Sequence, residues 1–183
     1  MTGDGRWAQD VAVCIGSGPS LRRDDCDLVE RSGARVIAVN SSWRAAPFAD
    51  VIYAGDAAWW RENASALSIG AERWTCSAVA AREFGLNLHE AGGAYNSGLR
   101  SIELAARFGA RRIVLIGFDC SVRDGSHWHG DHAATKNPSA ALCEVWKRQF
   151  SQLRLVGAEI INASRQSELD CFERQSLERA LVL

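Results

Sequence analysis

Apolar runs of only four or five residues recur along this chain, and most give way to turn-forming residues and then to a segment with helical spacing. Val11–Ile15 is ended by Gly16-Ser17-Gly18-Pro19-Ser20, after which Leu21, Leu28 and Val29 share one helical face. Runs this short, apolar on consecutive positions, read as strands covered on both faces. Residues 35–39, 50–54, 113–116 and 159–162 repeat the pattern, with weaker edge strands at 74–76 and 86–88. Helices are expected from Asp56 through Trp59 and Trp60, from Asn96-Ser97-Gly98 to Phe108, and from Asn137-Pro138-Ser139 to Leu153. The alternation predicts an α/β fold: a Rossmann-like, doubly wound, mainly parallel sheet with helices on both faces. A length of 183 residues suits one such domain, spanning 1–183 with residues 165–183 as a packed C-terminal tail.

Composition excludes several partners. With 21 Lys and Arg against 22 Asp and Glu, no global field draws the chain to nucleic acid or an anionic membrane. No window is long and apolar enough to span a bilayer and no leader pattern opens the chain, so a soluble, cytoplasmic protein is expected. Six cysteines without a CxxC pair read as thiols of a reducing compartment. Trp43, Trp59, Trp60 and Trp128 lie beside expected loops, where a flat ring can stack on a base or sugar. Leu169, Phe172, Leu177 and Leu181 in the tail are spaced to pack back on the sheet or to serve a homo-oligomer.

In a parallel sheet, ligands sit beyond the carboxyl ends of the strands. Four polar segments fall there: 16–20, 40–43, 55–56 and 118–132. The glycines of Gly16-Ser17-Gly18-Pro19-Ser20 permit close backbone approach, Pro19 can set the first helical residue, and Ser17 or Ser20 can donate a hydroxyl to a phosphate. A plain tight turn with Ser20 as helix cap is the alternative. Asn40 can bond a ribose or base edge, or cap its turn; Asp56 can take a ribose hydroxyl or magnesium, or cap its helix. Asn96, Ser97 and Gly98 can grip a sugar or phosphate from a helix start. Asp119, at the end of residues 109–119, can anchor substrate or orient a histidine.

Three of the four histidines crowd into His127-Trp128-His129-Gly130-Asp131-His132. The spelling HxHxDH is that of the zinc-ligand string of metallo-β-lactamase-like hydrolases, whose binuclear sites add later His and Asp ligands; no histidine follows His132 here. A mononuclear site stays chemically open. A neutral histidine as general base needs only one ring and an orienting partner, and its intrinsic pKa suits the task. The reading is therefore a metal-free one, with His132, His127 and Asp119 as catalytic candidates.

The motif Gly16-Ser-Gly-Pro-Ser-Leu21 resembles the first-strand loop of bacterial CMP-sialic-acid-using sialyltransferases of the Campylobacter type, and that of the archaeal pterin pyrophosphokinase-like family. The order of Asn96-Ser-Gly98, residues 109–119, Ser126-His127-Trp128, Gly130, His132 and Asn162-Ala163-Ser164 is similar to that of the sialyltransferases. The likeness covers about three quarters of the chain and extends to small phage and prophage proteins. It implies a nucleotide-binding domain in which Gly16, Ser17, Gly18, Asn40, Ser97 and Gly98 hold a CMP donor and His132 is the general base. The two tyrosines with which those enzymes hold the leaving phosphate have no counterpart after Asp119, so Arg123, Lys136 or Arg165 would take that part.

The resemblance thus implies a transferase that moves a sugar from a CMP- or other nucleotide-activated donor to a small-molecule or glycan acceptor, with no metal. Its second branch implies pyrophosphoryl transfer from a nucleoside triphosphate to a small hydroxyl compound, with Mg2+ on Asp56, Asp119 or Asp131. A non-catalytic nucleotide-binding phage protein is the third expectation.

Overall fold

The computed structural model describes residues 5–8, 10–131 and 137–182. Among the described residues, eight parallel strands form one sheet in the order β5-β4-β3-β2-β1-β6-β7-β8. They are β1 (Val11–Ile15), β2 (Arg35–Val39), β3 (Val51–Tyr53), β4 (Glu72–Thr75), β5 (Asn87–Leu88), β6 (Arg112–Ile116), β7 (Glu159–Asn162) and β8 (Glu173–Arg174). The helices are α1 (Arg23–Ser32), α2 (Ala57–Asn63), α3 (Ala78–Phe84), α4 (Ser97–Arg107), α5 (Ala140–Gln152) and α6 (Leu177–Ala180).

Alternate side chains of β1 sort to opposite faces, as the pleat requires. Ala12 and Cys14 pack with Leu99, Ile102 and Phe108 of the α4 segment and with Phe150 of α5. Val11, Val13 and Ile15 pack with Cys26 and Val29 of α1 and with Leu177 and Ala180 of α6. Helices on both faces explain why β1 is apolar at every position. The tail folds onto its own domain: Leu169 and Leu177 are buried, and Phe172 meets Phe150 edge to face at 6.1 Å. Among the described residues no helix is long and apolar enough to cross a membrane. All six cysteines are free.

Strand order grows outwards in one direction from β1 and in the other from β6, so the chain reverses its winding between these two neighbours. Loops leaving their carboxyl ends diverge to opposite faces and open a crevice, the place where doubly wound sheets bind ligands.

Candidate functional site

The crevice holds a cavity of about 520 Å³, within the range of small-molecule sites. The loops after β1, β2, β3 and β6, the start of α4 and one side of α5 enclose it.

Its floor is two backbone strands in mutual contact. Gly16 N donates to the Ile116 carbonyl at 2.8 Å and Gly18 N to the Gly117 carbonyl at 2.8 Å. A Cβ on Gly18 would stand 2.2 Å from Asp119 Oδ1, so the glycine is required by a neighbouring loop of the same chain. Ser42 Oγ donates to the Gly16 carbonyl at 2.8 Å and lies 3.1 Å from Ser17 Oγ, which ties the first loop to the turn after β2. Gly16, Ser17 and Gly18 line the cavity; Pro19 and Ser20 do not.

Two expectations for this loop are corrected. Pro19 is not the first helical residue, because α1 begins at Arg23 with Arg22 as N-cap. Nor does Ser20 cap that helix: its N–H and hydroxyl donate to Asp119 Oδ2 and Oδ1, both at 2.8 Å. The first turn of α1 carries Asp24 and Asp25, and Asp25 accepts the Arg22 N–H at 3.2 Å, so its own carboxylates serve that helix end rather than an incoming phosphate. Asp119 is buried and faces the cavity, yet both its oxygens are engaged by Ser20, which makes it a fastener between the loops. Burial raises its carboxyl pKa above the usual carboxylate range, and the Ser20 bonds oppose that shift.

The asparagines stand out for what they lack. Asn40 follows β2 with φ +50°, a left-handed backbone tolerable to asparagine, and its buried Oδ1 has no hydrogen-bond partner. Asn96 caps α4 by accepting the Leu99 N–H at 2.9 Å, while its buried Nδ2 has none. One unpaired acceptor and one unpaired donor therefore belong to residues that line the same cavity. Buried polar groups left unpaired are costly, and a ligand offering the complementary groups removes that cost. Ser97 lines the cavity too, although its Oγ already accepts the Gly55 N–H at 3.0 Å. Gly98 lets the α4 start lie against Phe118, where a Cβ would meet the ring at 3.0 Å. Asp56 occupies the N-cap position of α2 without making a cap hydrogen bond, leaving its exposed carboxylate at the cavity.

The histidine loop folds over the first loop, with Trp128 N donating to the Ser17 carbonyl at 3.1 Å. His127 lines the cavity, and its ring stacks on His129 with centroids 5.1 Å apart. His132 and Lys136 lie outside the described residues. Among the described residues, no group of three His, Cys, Asp or Glu side chains is placed to hold a metal ion.

Other assignments move. Trp43 and Trp128 pack against the core below the loops; Trp59 and Trp146 are the indoles that reach the cavity. Arg165 is held by Asp25 at 2.9 Å, Arg123 pairs with Glu168 at 3.4 Å, and neither lines the cavity. Sequence reasoning missed Cys120, a cavity residue at φ +48°, for which nothing in the local sequence is a signal. Ser42 fell within the 40–43 segment singled out from sequence, but its bond to the Gly16 carbonyl had no signal there.

Comparison of the chain with protein-family models, with curated proteins and with solved structures finds no match.

Proposed function

We propose that this protein is a transferase that binds a nucleotide-activated donor, most concretely a CMP-sugar, and passes the sugar to a hydroxyl acceptor without a metal. The observation that carries the reading is the pair of unpaired amide atoms, Asn40 Oδ1 and Asn96 Nδ2, which belong to two residues lining one cavity at the point where the sheet reverses its winding. An acceptor at Asn40 suits a ribose hydroxyl or an exocyclic amine; a donor at Asn96 suits a phosphate or carbonyl oxygen. Asn96 stands at the start of an 11-residue helix whose first amides favour an anion.

In this reading a histidine of the 127–132 loop removes the acceptor hydroxyl proton. His132 holds that role in the resemblance, and among the described residues His127 is the loop histidine that lines the cavity. Magnesium fits the described donors poorly. Asp119 has both oxygens on Ser20 and Asp131 does not line the cavity, which leaves Asp56 alone.

Calorimetric titration with CMP and with ATP, each with and without magnesium, tests the reading. CMP is expected to bind without metal. His132→Ala or His127→Ala is expected to lower the rate of sugar transfer from a CMP-sugar by about 10²–10⁴-fold while CMP still binds. Wild-type rates in both variants, or binding confined to magnesium and ATP, would overturn it; the latter selects pyrophosphoryl transfer.

A further inference from the structure

The cavity has two unlike walls. The loops after β1 and β2 and the start of α4 bring Ser17, Asn40 and Ser97 to one side, whereas α5 brings Leu142, Trp146 and Phe150, spaced four residues apart and so on a single face, to the other. Phe118 completes that second wall, meeting Phe150 edge to face at 6.0 Å, and Phe150 is backed in turn by Phe172. Phe150 is buried by this aromatic stack, but Leu142 and Trp146 each keep part of their surface uncovered. A rigid backing with two uncovered apolar side chains at a cavity is the arrangement of a hydrophobic subsite.

We propose, resting on the transferase reading above, that this wall receives the acceptor, and that the acceptor is a neutral aromatic alcohol rather than a glycan, with Trp146 setting the preference. A polyhydroxylated acceptor laid on Leu142, Trp146 and Phe150 would meet one donor there, the Trp146 indole N–H, and no acceptor, leaving most of its hydroxyls on that side unpaired. An aromatic body covers the same surface with favourable ring contacts and presents one hydroxyl to the polar side. In the step itself the acceptor oxygen bonds to the anomeric carbon and the carbon–oxygen bond to the phosphate breaks. CMP leaves with that electron pair, and the acceptor proton passes to the loop histidine.

Calorimetric titration with 2-naphthylmethanol and with lactose, each in saturating CMP, tests the assignment. Naphthylmethanol is expected to bind, and Trp146→Ala and Leu142→Gln each to weaken it at least about tenfold while CMP affinity stays within about twofold. Leu142→Gln serves where Trp146→Ala fails to fold. Binding of lactose in place of naphthylmethanol, absence of naphthylmethanol binding, or binding indifferent to both substitutions would overturn the inference. Loss of CMP binding in the unaltered protein instead overturns the nucleotide reading, and naphthylmethanol titrated alone then decides the α5 wall.

Discussion

Gly18 has no room for a side chain: the Cβ of an alanine would lie 2.2 Å from Asp119 Oδ1 and 2.7 Å from the Gly117 carbonyl oxygen. Backbone cannot step aside cheaply, so Gly18→Ala must displace Asp119 and break its bonds to Ser20. The expected cost is about 1–3 kcal/mol, read as a lower thermal midpoint, while Gly70→Ala, an exposed glycine with nothing within 4 Å, stays within about 0.5 kcal/mol. An unchanged midpoint for Gly18→Ala would contradict the packing of these loops. The glycines were readable as a place of close backbone approach. What approaches was not, because Gly117 and Asp119 come from about a hundred residues away in the chain. Asn40 was readable as a polar residue at a strand end, but neither its left-handed backbone nor its unpaired oxygen follows from neighbours in sequence. Among the described residues, both non-glycines with positive φ, Asn40 and Cys120, line the cavity, which places local backbone strain at the candidate site.

At the scale of elements, α4 combines two tasks in one residue. Asn96 holds the helix start through Oδ1 and lines the site with its Nδ2 left unpaired, and substitution can separate the two. Asn96→Ala loses both and should cost about 1 kcal/mol of stability. Asn96→Asp keeps the cap acceptor, so its unfolding midpoint should stay near that of the native protein while CMP affinity falls at least about tenfold, since donor is exchanged for negative charge. Unfolding curves paired with calorimetry read the two effects apart; equal CMP affinity in Asn96→Asp would remove Asn96 from the site. Caps are short-range chemistry, which is why Asn96 and Ser139 were legible as helix starts. The first helix begins later than its sequence implies because Asp119 holds Ser20 in the preceding turn. Two elements left little trace: α3 buries only Ala80 along its seven residues, and β8 is two exposed residues paired to β7.

For the whole molecule, the alternation of short, continuously apolar runs with helical segments made the doubly wound sheet legible, whereas the crevice depends on strand order, set by pairings such as Cys14 with Leu115. The fourth histidine, outside every motif, links that buried architecture to pH. His89 follows β5, donates its N–H to the Thr75 carbonyl at 2.7 Å, and is 4% exposed with Nδ1 3.2 Å from the Tyr53 hydroxyl. Burial, then the positive charges of Arg107 and Arg100, lower its pKa from 6.5 to about 4. Below pH 6.5 the unfolded chain therefore takes up a proton that the native state refuses. The stability contributed by neutral His89 is whole above that pH and is lost as pH falls towards 4, by on the order of 3 kcal/mol in all. Titrating carboxylates add their own acid dependence, so the comparison must be differential. His89→Gln keeps a polar side chain beside Tyr53 but cannot titrate. Urea unfolding across pH 8 to 4 should show the native protein losing stability more steeply than this variant on the acid side, by about 1.4 kcal/mol per pH unit at most, with the curves parallel above about pH 7. Curves parallel throughout would mean that His89 is protonated as readily in the folded protein as in the unfolded one, and that the packing around β5 admits a charge.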